Sequence, residues 1–451
     1  MSKRAEQAPI EHTPGGHAPV DHTPGGHAPV DHTPVDHTPG SAPRTTIWRQ
    51  PKSVLAVAFA SVIAFMGIGL VDPILPAIST ELGATPGQAM LLFTSYLFIT
   101  GIAMFFTSWI SGRVGSKKTL IIGLVIIVAF AALAGLADSV WQVIGFRAGW
   151  GLGNALFIST ALATIVGAAT GGTDGAIILY EAALGIGIAI GPLLGGALGD
   201  ISWRAPFLGT AVLMAIGTIA LLILLPPQRS RPNHVPLGAG LRAARRPALL
   251  VLGLAALCYN FGFFTLLAWT PFPLEDAAAR SGITFGAHEL GFVFFGWGLC
   301  LALTSVLIAP RMTRRFGRIR VLHLTLLLLA IDLAVMALFA EHLQILIIGV
   351  IIGGLFLGVM NTVLTESVMD ATTLPQNVAS STYSGIRFLG GALAPAVAGS
   401  LAAAGGPGTP YLVGAAAVLM AMLILAIGHR RIAHIDLDTA EEMTGNSPRI
   451  G

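Results

Sequence analysis

Six ionisable residues lie inside long apolar runs: Asp72, Arg147, Glu181, Asp332, Glu366 and Arg387. A charge placed in hydrocarbon costs about 3 kcal/mol or more, so each is a functional candidate by default. With the N-terminus inside, a placement the basic residues require, Asp72 lies six residues before the outer end of the first run. Arg147 lies six residues after the outer start of the fourth. At a helical rise of 1.5 Å per residue, both sit roughly 9 Å below the outer surface. They can pair if the two runs face each other. A carboxylate held between a cation and a dry cavity is able to take up and release a proton. The plain alternative is a static ion pair that locks two helices, and the residues by themselves leave both readings open. Glu181 and Glu366 fall near inner ends, where they reach headgroups or hold cationic turns. Glu181 joins Asp72 and Arg147 as a third candidate for proton coupling. Arg387, about nine residues into its run, is deeper and is expected to pair with an acid. Polar and aromatic residues inside the runs, namely Tyr96, Asn154, Asn260, Phe264 and Asn361, with Arg387, are candidates to line an amphiphilic cavity.

The elements that must position these groups are membrane helices. Of 451 residues, 54% are hydrophobic and only 10% charged, far from a soluble domain. A crossing needs about 20 apolar residues. Twelve such runs are predicted near 53–78, 88–111, 119–137, 141–167, 176–199, 206–226, 248–272, 289–310, 319–340, 344–368, 378–404 and 409–429. The fold class is therefore an all-α integral membrane protein of twelve spans. Asp332 falls in the middle of the ninth, a position commonly peripheral in such an arrangement, and is expected to be a packing feature rather than a site.

Two basic turns organise the chain. Arg113, Gly115 and Lys117 follow the second span, and Arg315 and Gly317 follow the eighth, with Arg113 and Arg315 separated by 202 residues. Glycine supplies backbone freedom for the turn, and the cations hold it at an anionic membrane face. Gly191-Pro192 in span 5 matches Ala394-Pro395 in span 11 at an offset of 203. These correspondences predict two pseudo-symmetric six-helix halves with a pathway between them. The domains are a polar tail (1–50), a first half (51–226), a basic linker (227–247), a second half (248–429) and a C-terminal tail (430–451). With the N-terminus inside, 21 of the 25 Lys and Arg residues fall on inner segments, so both termini are expected in the cytoplasm.

The tail 1–50 repeats His-Thr-Pro-Gly-Gly-His-Ala-Pro-Val-Asp and carries six histidines. It reads as disordered and solvated, with loose binding of a soft divalent ion as the lesser alternative. The net charge of +3 is spread over membrane-flanking turns, which does not suggest a nucleic-acid binder. Cys258 and Cys300 lie in apolar runs and are read as reduced packing residues. No metal or cofactor site is expected. Neither a His-Glu-x-x-His nor a Gly-x-Ser-x-Gly motif supports an enzyme, and the lack of a Walker loop argues against ATP as the drive.

Span 5 carries Gly187, Gly191, Pro192, Gly195 and Gly196. Glycines four apart make a flat strip for close helix packing, and the proline removes one backbone hydrogen bond. A dry seam that seals or hinges the outer half of the pathway is expected. On these residues the chain resembles the major facilitator superfamily, and within it the twelve-helix proton-coupled drug exporters, over residues 53–429. Gly112-Arg113-Val-Gly115-Ser-Lys117-Lys118 resembles the family's loop between helices 2 and 3. Gly187-x-x-x-Gly191-Pro192-x-x-Gly195-Gly196 resembles its antiporter motif. Arg147 with Gly151 and Gly153 is similar to the helix 4 motif, whose arginine is linked to proton coupling. Asp72-Pro-Ile-Leu-Pro76 is similar to the helix 1 signature, and Trp203-Arg204-x-x-Phe207 to the start of helix 6. Three departures stand out: Gly112 replaces an aspartate that helps lock the inner gate, Ser108 a glycine, and Trp150 a glutamine.

The resemblance implies proton-coupled efflux of lipophilic small molecules or drugs across the cytoplasmic membrane by alternating access, by a monomer whose partners are its cargo, protons and the bilayer. Export of an endogenous metabolite or siderophore, or uptake by symport, are the alternatives.

Overall fold

The computed structural model describes residues 51–168, 173–225, 235–372, 374–433 and 435–436, without the side chains of 162, 163, 166–168, 173–178, 181, 182 and 376. The predicted N-terminal tail, the first part of the linker, the end of the C-terminal tail and the Glu181 side chain lie outside this set. In chain order the spans are α1 (Lys52–Glu81), α2 (Pro86–Val114), α3 (Ser116–Gly135), α4 (Val140–Ala168), α5 (Thr173–Gly199) and α6 (Ala205–Leu224). The second set is α7 (Pro247–Trp269), α8 (Ala287–Phe316), α9 (Arg318–Leu338), α10 (Leu343–Asp370), α11 (Gln376–Gly405) and α12 (Thr409–Ile427). Each predicted run corresponds to one helix, with ends shifted by a few residues.

Local chemistry sets the boundaries. Thr85 and Gln88 form a reciprocal capping box ahead of α2, with Pro86 in its first turn, where a missing N–H costs nothing. α2 and α8 end at Gly115 and Gly317, whose φ angles are 90° and 80°, a region that favours glycine. Both basic turns thus close by the same device. α1 is broken: regular helix stops at Gly69, a 3₁₀ turn spans Asp72–Ile74, and helix resumes at Leu75. Pro73 has no N–H to continue the ladder, so the break falls at Asp72, the buried carboxylate of this span. In α8 a π-turn covers Thr304–Ile308 just before Pro310, again where a proline interrupts the α-pattern.

The packing repeats with a period of six helices. α1 packs on α5, α4 on α2 and α3, and α6 on α3; α7 packs on α11, α10 on α8 and α9, and α12 on α9. Two seams join the halves, α2 with α11 and α5 with α8. Exchange of the halves turns one seam into the other. The α2–α11 seam is closed along its length. A Cβ on Gly399 would stand 2.7 Å from the Gly87 Cα near the end of α11, and one on Gly101 would meet the Gly385 carbonyl at 3.0 Å. The Ser108 and Ser381 hydroxyls are hydrogen-bonded at 3.1 Å at the other end. The linker helix Ala239–Ala244 covers that end, packing on α11 and α2.

Candidate functional site

Asp72 and Arg147 are both fully buried. Arg147 Nη1 donates to the Gly67 carbonyl on α1 at 3.5 Å. Its guanidinium lies 4.3 Å from the Tyr96 ring centre and 4.8 Å from that of Trp150. The Trp150 that departs from the family pattern therefore supplies a cation–π face where a glutamine would supply a hydrogen bond. Asp72 and Arg147 are within reach of each other's charge but are not among the ion pairs of the described residues. They share no hydrogen bond, and both Asp72 oxygens, with Nε and Nη2 of Arg147, lack a partner. A locked structural ion pair would use these atoms.

The antiporter-motif residues form a seam with two faces. Cβ atoms on Gly187, Gly191 and Gly195 would lie 2.5, 2.6 and 2.2 Å from the carbonyl oxygens of Val62, Met66 and Leu70 on α1. A Cβ on Gly196 would lie 2.4 Å from the Ala287 carbonyl of α8, and one on Gly291 would meet the Pro192 carbonyl at 2.9 Å. One strip thus holds α1 of its own half and α8 of the other. Its proline reaches the neighbourhood of Asp72: a Cβ on Gly69 would lie 3.1 Å from the Pro192 ring and 3.6 Å from Asp72 Oδ2.

The second basic turn contains an acidic clamp. Arg318 pairs with Glu366 at 4.0 Å and with Asp370. Asp436, from beyond α12, accepts from the Arg318 backbone N–H at 2.7 Å and caps α9. Glu366 thus holds a cationic turn, one of its two expected roles. The first turn differs: with Gly112 in place of an aspartate, Lys117 Nζ instead donates to the Leu225 carbonyl at the end of α6. Asp370 and Asp436 were not singled out in the sequence, because each acquires meaning only from a partner far along the chain.

A second polar cluster lies between α7, α10 and α11. Arg387 Nη1 donates to Asn361 Oδ1 at 3.2 Å, and the Tyr259 hydroxyl donates to the same oxygen. Asn260 Nδ2 donates to the Arg387 carbonyl at 2.7 Å. Among the described residues no acid pairs with Arg387; its neighbours are the hydroxyls of Tyr259 and Tyr383. Tyr259 and Tyr383 escaped the sequence reading. The chain has five tyrosines, all within spans, and that concentration was the available signal. Among the cavity candidates, Tyr96 lies beneath Arg147, and Asn154 is buried with neither amide atom partnered. The Phe264 ring sits 6.2 Å from Phe93 of α2. Asp332 is buried on α9 beside Gly349 and Gly353 of α10, where the absent side chains make room for it. Cys258 and Cys300 are free thiols.

Comparison with known proteins agrees with this arrangement. The chain is 49% identical over 392 residues to the multidrug efflux protein YfmO of Bacillus subtilis, covering 87% of this chain and 97% of that one. It is 28% identical over 274 residues to multidrug resistance protein 1 of the same organism, covering 59% of this chain and 68% of that protein. Among solved structures, the human organic anion transporter MFSD10 superposes with a TM-score of 0.64 at 19% identity, over 83% of this chain and 99% of that one; at that identity the likeness is one of fold. A sequence profile described as Major Facilitator Superfamily matches residues 57–282 and 273–445. With twelve spans in two halves, two glycine seams and the match running across both, the chain belongs to the Major Facilitator Superfamily.

Proposed function

We infer that this chain exports lipophilic small molecules across the cytoplasmic membrane by alternating access, with protons moving inward as cargo moves out. The observation that carries the reading is Asp72: a buried carboxylate at a helix break, without a hydrogen bond, beside Arg147 and the Pro192 seam. A proton taken up there removes a charge that α1 otherwise holds against α4 and α5, which gives the two orientations of the halves different energies. Kinship with a multidrug efflux protein over nearly its whole length supports the direction of transport. The chain works as a transporter, without catalysis, and as a monomer in the bilayer. Its parts are the halves 51–226 and 248–429, the basic linker 227–247 and cytoplasmic tails at 1–50 and 430–451. The α2–α11 and α5–α8 seams between the halves are the contacts that alternate.

The test is efflux of a lipophilic dye from proteoliposomes with an imposed pH gradient. Dye should accumulate on the acidic side and stop doing so when the gradient is collapsed. Transport unaffected by the gradient would remove proton coupling from the reading. Epitope tags at residue 235 and at the C-terminus should be reachable only from inside, and a tag at Gly282 only from outside.

A further inference from the structure

We propose that His288 and Asp200 are a latch between the halves, which closes the α5–α8 seam on their face when His288 takes up a proton from the water there. The face is the one opposite the basic turns. The proposal rests on the export reading only for naming that face the outer one.

Among the described residues, one ion pair joins the two halves: His288 Nδ1 stands 3.7 Å from Asp200 Oδ2. Arg204 with Asp138 lies within the first half, and Arg318 with Glu366 and Asp370 within the second. The backbone sets this position. Asp200 directly follows Gly199, the last residue of α5, and His288 directly follows Ala287, the first of α8. A Cβ on Gly199 would stand 3.1 Å from the Ala287 Cβ and 2.5 Å from Ile74 Cγ2, and one on Gly196 would lie 2.4 Å from the Ala287 carbonyl. The two helix ends thus meet at backbone distance, with the Asp72–Ile74 turn of α1 packed on both. α5 cannot leave α8 on this face without drawing Asp200 away from His288.

Charge gives the sign. The pair is ionic only when His288 is protonated, and histidine is the side chain that ordinarily changes charge between about pH 5 and 8. A closed seam holds a carboxylate beside the imidazole and an open one does not. The closed form therefore binds the proton more tightly, and acid favours closure. The two side chains are 46% and 52% exposed, so the proton comes directly from water on that face. The other charges nearby do not reverse this. Glu289 lies on the same helix and caps it by accepting from the Gly286 N–H at 2.8 Å; it moves with His288. So do Glu341 and His342, just before α10, which packs on α8. On the first half, Asp72 is fully buried, and Arg204 is held by Asp138 and the Ala137 carbonyl. Asp200 is the exposed charge that His288 loses on opening. An exporter that has released its cargo must close again on that side, and a proton arriving there favours the return.

The experiment uses the full chain in nanodiscs, with nitroxide labels at Ile201→Cys and Thr284→Cys, one per half on this face, and with Cys258→Ser and Cys300→Ser. Double electron–electron resonance gives the ratio of near to far label pairs. From pH 8 to pH 5 that ratio should rise about two- to fivefold, the worth of one exposed ion pair. The rise should shrink alike in His288→Gln and Asp200→Asn, and no further in the double variant. His288→Lys, charged throughout, should hold the higher ratio at both ends of the range. Glu275 lies on the same face, in the short helix Pro271–Arg280, and burial pushes its carboxyl up to about 7. All chains are therefore compared with Glu275→Gln in place. Titrations that superpose for His288 chains and the folded variants would overturn the proposal, as would a ratio that ignores pH or falls in acid. Ethidium flux in proteoliposomes separates the two readings. Flux driven by a pH gradient, with superposed titrations, leaves export standing and removes the latch. A titration that depends on His288, with no ethidium carried at any gradient, keeps the latch and counts against export alone.

Discussion

Asp72 and Arg147 are buried on neighbouring helices, each within reach of the other's charge, and neither uses the other as a hydrogen-bond partner. The cation instead lies against the rings of both Tyr96 and Trp150 and donates to Gly67. The carboxylate sits at the break in α1. This is the geometry of a pair that can change state without unlocking a structural contact.

Asp72→Asn should therefore bind cargo and fold normally while gradient-driven accumulation falls by about tenfold or more. If the two residues act as one unit, Asp72→Asn with Arg147→Gln should be no worse than the more damaging single change, since effects within a unit are not additive. Full gradient-driven flux by folded Asp72→Asn protein would move the coupling role elsewhere.

The seam gives a paired prediction on one helix. Gly191→Ala sets a Cβ 2.6 Å from the Met66 carbonyl, where backbone must move; Gly185→Ala sets one at 3.4 Å from the Ala302 Cβ, an ordinary contact. The first should cut transport by about tenfold or more with insertion intact, and the second should leave it near native, since only the first separates α5 from α1. Flux per folded molecule in matched vesicles decides it.

Asp436 ties the chain beyond α12 to the second basic turn by capping α9. Asp436→Ala should lower stability by about 1 kcal/mol, the usual cost of a lost N-cap. A thermal melt in detergent measures it, and an unchanged midpoint would show the cap to be dispensable.

Glu275 lies in the short helix Pro271–Arg280, between α7 and α8, which packs on the C-terminal end of α1. Burial, and then the charge of Asp276, push its carboxyl up to about 7 from an ordinary 4.5. The folded protein holds this proton more tightly than the unfolded chain does. Its contribution to stability is therefore fully present below about pH 4.5, declines as pH rises, and is lost above about pH 7. Melting midpoints measured from pH 5 to pH 8 should fall with rising pH, and the slope should flatten in Glu275→Gln. An equal slope in both would place the titration on another group.

The twelve spans, their break at basic turns and the duplication were legible in the residues, because a bilayer admits few solutions. A span must be apolar for about 20 residues, and a turn between spans must be polar. A helix strip that receives another backbone must be glycine, and the Gly187–Gly191–Gly195 spacing announced it. What the strip receives was not legible. That one face takes α1 and another takes α8 follows from the crossing of three helices. Burial of Asp72 and Arg147 was legible, since each is a lone charge in an apolar run; their lack of a shared bond was not. The clearest divergence is Arg387. Depth along one helix predicts that a cation needs an answering charge, but whether an acid stands opposite depends on which faces of α7 and α10 meet α11. Those faces bring Tyr259 and Asn361, while Tyr383 stands one turn earlier on α11 itself. One-dimensional spacing fixes how deep a side chain lies, and only the rotation of packed helices decides what it meets there.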